Sequence, residues 1–162
     1  MEAILSQTSS VLASEGAARI DGFDIHDRGI DQVRLSDITA VAGFGLPIGL
    51  LIAFSFEPEL LETVLGCLTA DNPVSEAERP LFLRETAAEL VNTVLGLCTS
   101  DFHLPEATVS LSPPVILEGE RSILRMAEAV FASMDIFTDK GAVHVNLIGP
   151  RDLFDDRLNY RH

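Results

Sequence analysis

A chain of 162 residues with 47% hydrophobic content holds the apolar material for one packed core, so a single domain over residues 1–162 is expected. A formal charge of −14, with Lys140 the only lysine, argues against binding to a phosphate backbone or to anionic lipid. The most apolar run, 48–54, is too short to span a bilayer, and the N-terminus lacks the basic start and long apolar stretch of a secretory signal, so no membrane or nucleic-acid partner and a cytoplasmic location are expected.

The first predicted element is a helix over about 1–18, in which Ile4, Leu5, Val11 and Leu12 share a face and Gly16 supplies a stop. Strands are predicted over 20–28 and 33–43, and Gly45-Leu46-Pro47 breaks the run before a further strand at 48–56, which reads as a hairpin. Pro58 opens a helix whose Leu60, Leu61, Val64, Leu65 and Leu68 form a core-facing stripe. A polar loop follows at 71–80. Ser75 and Glu78 have capping-box spacing there, but in a continuous helix Pro80 would clash with the Glu76 carbonyl, so a short turn and then a new helix from near Pro80 are expected.

Beyond that helix, 107–117 alternates as a strand, and Pro113-Pro114 implies an edge or a bulge. Alternation returns over about 127–137, and Thr138-Asp139-Lys140-Gly141 turns into a strand at 142–148 to make a second hairpin. A short tail at 150–162 carries Asp155 and Asp156, which read as solvated charge, as does Asp135 on a strand face. This order favours an α+β domain, a mostly antiparallel sheet with helices packed on one face. The runs 48–54 and 142–148 carry few charges to protect a sheet edge, so a homodimer formed partly by strand pairing is expected.

Cys67 and Cys98 have neither metal nor redox spacing and sit among apolar residues, which predicts buried free thiols. His26, His103, His144 and His162 are scattered without a ligand pairing, so no metal site of the chain's own is indicated; His103, close after the long helix, reads as an ordinary loop residue. The most informative stretch is Glu89-Leu90-Val91-Asn92. At roughly 100° per residue, Glu85, Glu89, Asn92 and Gly96 fall on one stripe, and Leu83, Ala87, Leu90, Val91, Val94, Leu97 and Cys98 fall opposite. An acid and an amide one turn apart can reach a single bound group, and Gly96 leaves room for close approach. From the pattern alone, the simpler reading is a solvated helix face that happens to carry Glu and Asn.

The stretch 85–96, with its Glu-x-x-Asn and a glycine one turn later, followed by Ser110-Leu111-Ser112-Pro113-Pro114-Val115-Ile116, resembles the CheX-like chemotaxis phosphatases and their relatives CheC and FliY. The ordered likeness extends over about 37–148, with the upstream runs 38–45 and 48–56 included. Ala88 stands where glycine often precedes the acid, and Leu97-Cys98 replaces an Asn-Ala-like pair. The resemblance implies a CheC-like/CheX-like fold with the motif helix exposed across the sheet, a dimer made through sheet edges, and hydrolysis of the aspartyl phosphate of a CheY-like response regulator. In that reading Asn92 orients the attacking water, Glu89 docks to the regulator's active-site lysine, and Glu85 and Gly96 extend the partner-binding face. The chain brings no cofactor, and the Mg²⁺ belongs to the regulator. The alternative is a non-catalytic adaptor or structural module on the same fold, as in the middle domain of the flagellar switch protein FliM.

Overall fold

The structure, a computed structural model, describes residues 1–16, 18–26, 30–45, 49–101, 110–124 and 129–150. Helix α1 (Glu2–Glu15) ends at Gly16, where a Cβ would lie 2.7 Å from Val64 Cγ2, so the missing side chain lets the chain pass against the next helix. Strands β1 (Ile20–His26), β2 (Gln32–Leu35) and β3 (Ile38–Phe44) follow. The expected single strand over 33–43 is therefore broken at Ser36 and Asp37. Its corner is held by side chains: Ser36 Oγ donates to the Phe56 carbonyl, and Thr39 Oγ1 donates to the Ser36 carbonyl, each at 3.1 Å.

β3 and β4 (Leu50–Phe56) form the expected antiparallel hairpin. Helix α2 (Pro58–Leu68) begins on its proline, where the missing N–H costs no helical hydrogen bond. Residues 76–78 form a turn before the 23-residue helix α3 (Arg79–Asp101), as Pro80 demands, and Ser75 Oγ bonds the Glu78 carboxylate across that turn. β5 (Val115–Glu118) starts only after Pro113 and Pro114, which have no N–H to give to a ladder. The remaining strands are β6 (Arg121–Leu124), β7 (Ala129–Thr138) and β8 (Gly141–Pro150), with β7 and β8 joined in the expected second hairpin.

Six strands form one antiparallel sheet in the order β1-β7-β8-β4-β3-β5, and β2 pairs with β6 in a separate ribbon that the sequence reading missed. The three helices cover one face of the sheet. Leu60, Leu61, Val91 and Leu95 from the helices join Phe54, Met134, Val145 and Leu147 from the strands in a common core. Burying each such side chain contributes about 1.5–3 kcal/mol.

Two expectations fail against this arrangement. The runs 48–54 and 142–148 are not unprotected edges: β4 and β8 each pair on both sides in the middle of the sheet, and the edges are β1 and β5. Their low charge reflects burial, not an open ladder. In α2, Cys67 is exposed and Leu68 is half exposed, because the last turn runs past its neighbours and Gly66, Cys67 and Leu68 all reach solvent. Cys98 is buried as expected. The loop residue His103, the solvated pair Asp155 and Asp156, His162, the tail from 151, and residues 107–109 lie outside the described residues. Among the described residues no helix is long and apolar enough to cross a membrane.

Candidate functional site

The stripe read from the sequence is present on α3. Glu85, Glu89, Asn92 and Gly96 are all exposed, while Ala87, Leu90, Val91, Val94 and Cys98 are buried. Leu83 is only partly buried and Leu97 is 43% exposed, contrary to the expected core face. Leu97 lies at the border of the buried stripe, roughly 80° from its centre at the helical repeat. Leu95, fully buried, belongs to that stripe instead.

A second segment makes the site a groove. Glu85, Ala88, Glu89 and Asn92 form one wall, and Leu111, Ser112, Pro113 and Pro114 form the other, around an open volume of about 580 Å³. Hydrogen bonds that replace a regular ladder fix the second wall. Ser112 N donates to the Gly43 carbonyl and Gly43 N donates to Ser112 Oγ, both at 2.8 Å, and Gly45 N donates to the Ser110 carbonyl at 2.7 Å. Leu111 bridges Phe44 at the end of β3. The serine hydroxyl thus supplies an acceptor on a stretch that two prolines keep out of the sheet. Gly45 is needed for the approach, since a Cβ there would come within 2.9 Å of Ser110 Oγ. An ion pair of Arg84 with Glu118, at 2.8 Å, ties α3 to the end of β5.

The groove brings together Glu85, Glu89 and Asn92. Gly96 sits on the same stripe beyond the groove lining, and apart from its own stretch of helix no described residue lies within 4 Å of where its Cβ would stand. Among the described residues no contact requires glycine at that position. Among the described residues Glu89 and Asn92 have no hydrogen-bond or ion-pair partner, although the amide carries two donors and an acceptor and the acid two acceptor oxygens. A helix supported by the core along its opposite face holds both groups at fixed spacing with their bonding capacity unspent. That arrangement is preorganised for a group arriving from another molecule. Ser112, Pro113 and Pro114 were visible in the sequence as part of the motif run, but nothing there placed them opposite Glu89 and Asn92. No set of three or more His, Cys, Asp and Glu side chains among the described residues is placed to hold a metal ion.

No family model matches the sequence, and neither does any curated protein. Solved structures are similar. The chemotaxis protein CheX from Desulfovibrio desulfuricans superposes with a TM-score of 0.75 at 14% identity, over 90% of this chain and 95% of that one. CheX from Vibrio vulnificus gives 0.69 at 14% identity over 91% and 96%. A chain of the CheX–CheY–BeF₃–Mg²⁺ complex from Borrelia burgdorferi gives 0.68 at 18% identity, also over 91% and 96%. The chain has the fold of the CheX/CheC-like chemotaxis proteins, an α+β domain with its helices against an antiparallel sheet.

Proposed function

We propose that this protein is a phosphatase for the aspartyl phosphate of a CheY-like response regulator. The observation that carries the proposal is the exposed, unpartnered pair Glu89 and Asn92, set one turn apart over an open groove on a fold shared with CheX. One similar structure was solved as a complex of CheX with CheY, BeF₃ and Mg²⁺, which supports a regulator as the class of partner.

In the proposed reaction a water attacks phosphorus in line, the bond from phosphorus to the aspartyl oxygen breaks, and the regulator's carboxylate leaves as inorganic phosphate forms. The leaving group is a stabilised carboxylate, so alignment and charge stabilisation matter more than a strong base. The Asn92 amide oxygen accepts a hydrogen bond from the water while its NH₂ donates to a phosphoryl oxygen. Glu89 pairs with the regulator's active-site lysine and sets the register of the two proteins. Glu85 and the open surface at Gly96 extend the docking face, and the Mg²⁺ stays on the regulator. The protein acts in the cytoplasm as a homodimer.

The direct test is the decay of a phosphorylated regulator with and without this protein. A shortened lifetime supports the enzyme. Binding that leaves the lifetime unchanged, for the regulator that binds most tightly, selects the non-catalytic adaptor instead.

A further inference from the structure

The sheet face turned away from the helices carries polar residues where an apolar underside would be expected. Strand register sets Asp24, Asp135, His144, Ser55 and Thr39 abreast across β1, β7, β8, β4 and β3, with His26, Ser133 and Asn146 in the next row. Side chains directly opposite in an antiparallel ladder share a face, so the two rows form one polar surface. The β2–β6 ribbon stands beside it, with Val33 and Leu35 buried. Between ribbon and sheet lies a cleft of about 800 Å³, within the range of roughly 300–1,000 Å³ usual for small-molecule sites.

Three features of the cleft favour an anionic ligand. Asn146 is 3% exposed; its amide oxygen accepts from Ser133 Oγ at 2.7 Å, and its Nδ2 has no partner. A buried donor left unpaired costs about 1–3 kcal/mol, which a ligand acceptor would offset. The second feature is the placement of the cations. Arg19, Arg79, Arg84 and Lys140 each lie within 4.0 Å of a carboxylate, whereas Arg34 and Arg121, the other Arg and Lys side chains among the described residues, have no such pair there, and both line the cleft. Arg121 pairs with Leu35 across the ribbon and so shares the ribbon face that Leu35 buries. In a chain of formal charge −14, guanidinium groups without carboxylate partners stand out.

The third feature concerns Asp135. Its carboxylate is already engaged, by His144 Nδ1 at 2.7 Å and by His26 Nε2 at 3.6 Å. The exposed Glu120 is the other carboxylate of the lining. Arg121 donates from Nε and Nη2 to the Glu118 carbonyl at 3.4 Å each, and the groups of the cleft without a carboxylate partner are mainly donors and cations. We infer that this cleft is a second binding site, for a small ligand bearing a carboxylate or phosphate group held by Arg121 and the Asn146 amide.

The test uses the Glu89→Ala/Asn92→Ala double variant as the parent protein, so that anion binding in the α3 groove cannot contribute. Inorganic phosphate and malate are titrated separately by calorimetry and thermal melting at constant ionic strength, with chloride as the control. Saturable binding in the millimolar range or tighter, with a rise in Tm that chloride does not give, is expected for at least one probe. The probe that binds identifies the phosphate or carboxylate class. Adding Arg121→Ala should weaken that binding about ten-fold or more, the scale of a lost hydrogen bond to a charged group. Asn146→Leu should weaken it likewise, and the solvent-exposed Arg121 change keeps the test valid if the Asn146 variant fails to fold. Binding of neither probe, or binding that Arg121→Ala leaves unchanged, overturns the inference.

Discussion

Gly141 has φ +118°, and a Cβ there would come 3.0 Å from Glu57 Oε2 and 3.4 Å from Leu60 Cβ. The same Glu57 carboxylate accepts from Ala142 N at 2.9 Å, so the β7–β8 turn is fastened to the start of α2. Gly141→Ala is expected to cost about 1–3 kcal/mol through backbone strain and displacement of that contact, measured by urea denaturation. Nearby, Asp139 accepts a hydrogen bond from Arg19 N at 2.8 Å, which holds its carboxyl below the usual aspartate range. A depressed folded-state pKa contributes stability that is present above the unfolded value, about 3.9, and lost as pH falls through the folded one. Asp139→Asn should therefore flatten the acid limb of a Tm-versus-pH profile below about pH 4 while removing some stability at neutral pH. The turn itself was legible from Thr138-Asp139-Lys140-Gly141. The contact to Glu57 was not, because it joins residues 85 positions apart.

Within the helices, periodicity gave the direction of each side chain but not how far the covering layer extends along the axis. Cys67 and Leu68 point along the same side as Leu60 and Leu61, yet they are exposed because α2 outruns its neighbours. Leu97 on α3 is exposed for a different reason, its angular position at the border of the stripe, since Cys98 beyond it is fully buried. The Glu89/Asn92 stripe was readable because its four positions sit far around the helix from the core, where neither effect intervenes. α2 offers a weaker copy of the motif, Glu59-Leu60-Leu61-Glu62, with an acid where the amide would stand. Glu62 accepts the Arg79 guanidinium, with Nε at 2.9 Å, and so ties α2 to α3. An ionised carboxylate cannot donate to a phosphoryl oxygen and would repel it. One active site per chain is expected. Glu59→Ala should leave turnover of the phosphorylated regulator unchanged, and a loss of turnover in a folded Glu59→Ala protein would contradict this.

At the scale of the molecule, the order of hairpin, two helices, edge strand and hairpin was enough to derive an antiparallel sheet covered by helices on one face. The β2–β6 ribbon was hidden because each strand has four residues and its partner lies far along the chain. The cleft cluster of His26, Asp135 and His144 was hidden for a related reason, since only the register across three strands brings those residues together. Register also relocates the expected dimer. β5 is short and follows two prolines, which discourages pairing. β1 is the longer edge, and its Phe23 and Ile25 are exposed. A homodimer paired through β1 should show twice the 17.5 kDa chain mass by light scattering at tens of micromolar, and Ile25→Lys should reduce it to one chain mass. A wild-type protein of single chain mass would exclude it.

Glu89 and Asn92, which have no hydrogen-bond or ion-pair partner among the described residues, are proposed to play separate roles. Because both lie opposite the buried stripe, replacing either should change stability by no more than about 0.5 kcal/mol. Glu89→Ala removes a charge pair at the docking face, so part of its defect should be recovered at high regulator concentration. Asn92→Ala removes the amide proposed to orient the water. The deciding measurement is stopped-flow decay of the phosphorylated regulator over a range of concentrations. Asn92→Ala should retain nearly full regulator binding and slow dephosphorylation by about 10²-fold or more at saturation. Wild-type turnover in Asn92→Ala would contradict the account and leave the adaptor reading in its place.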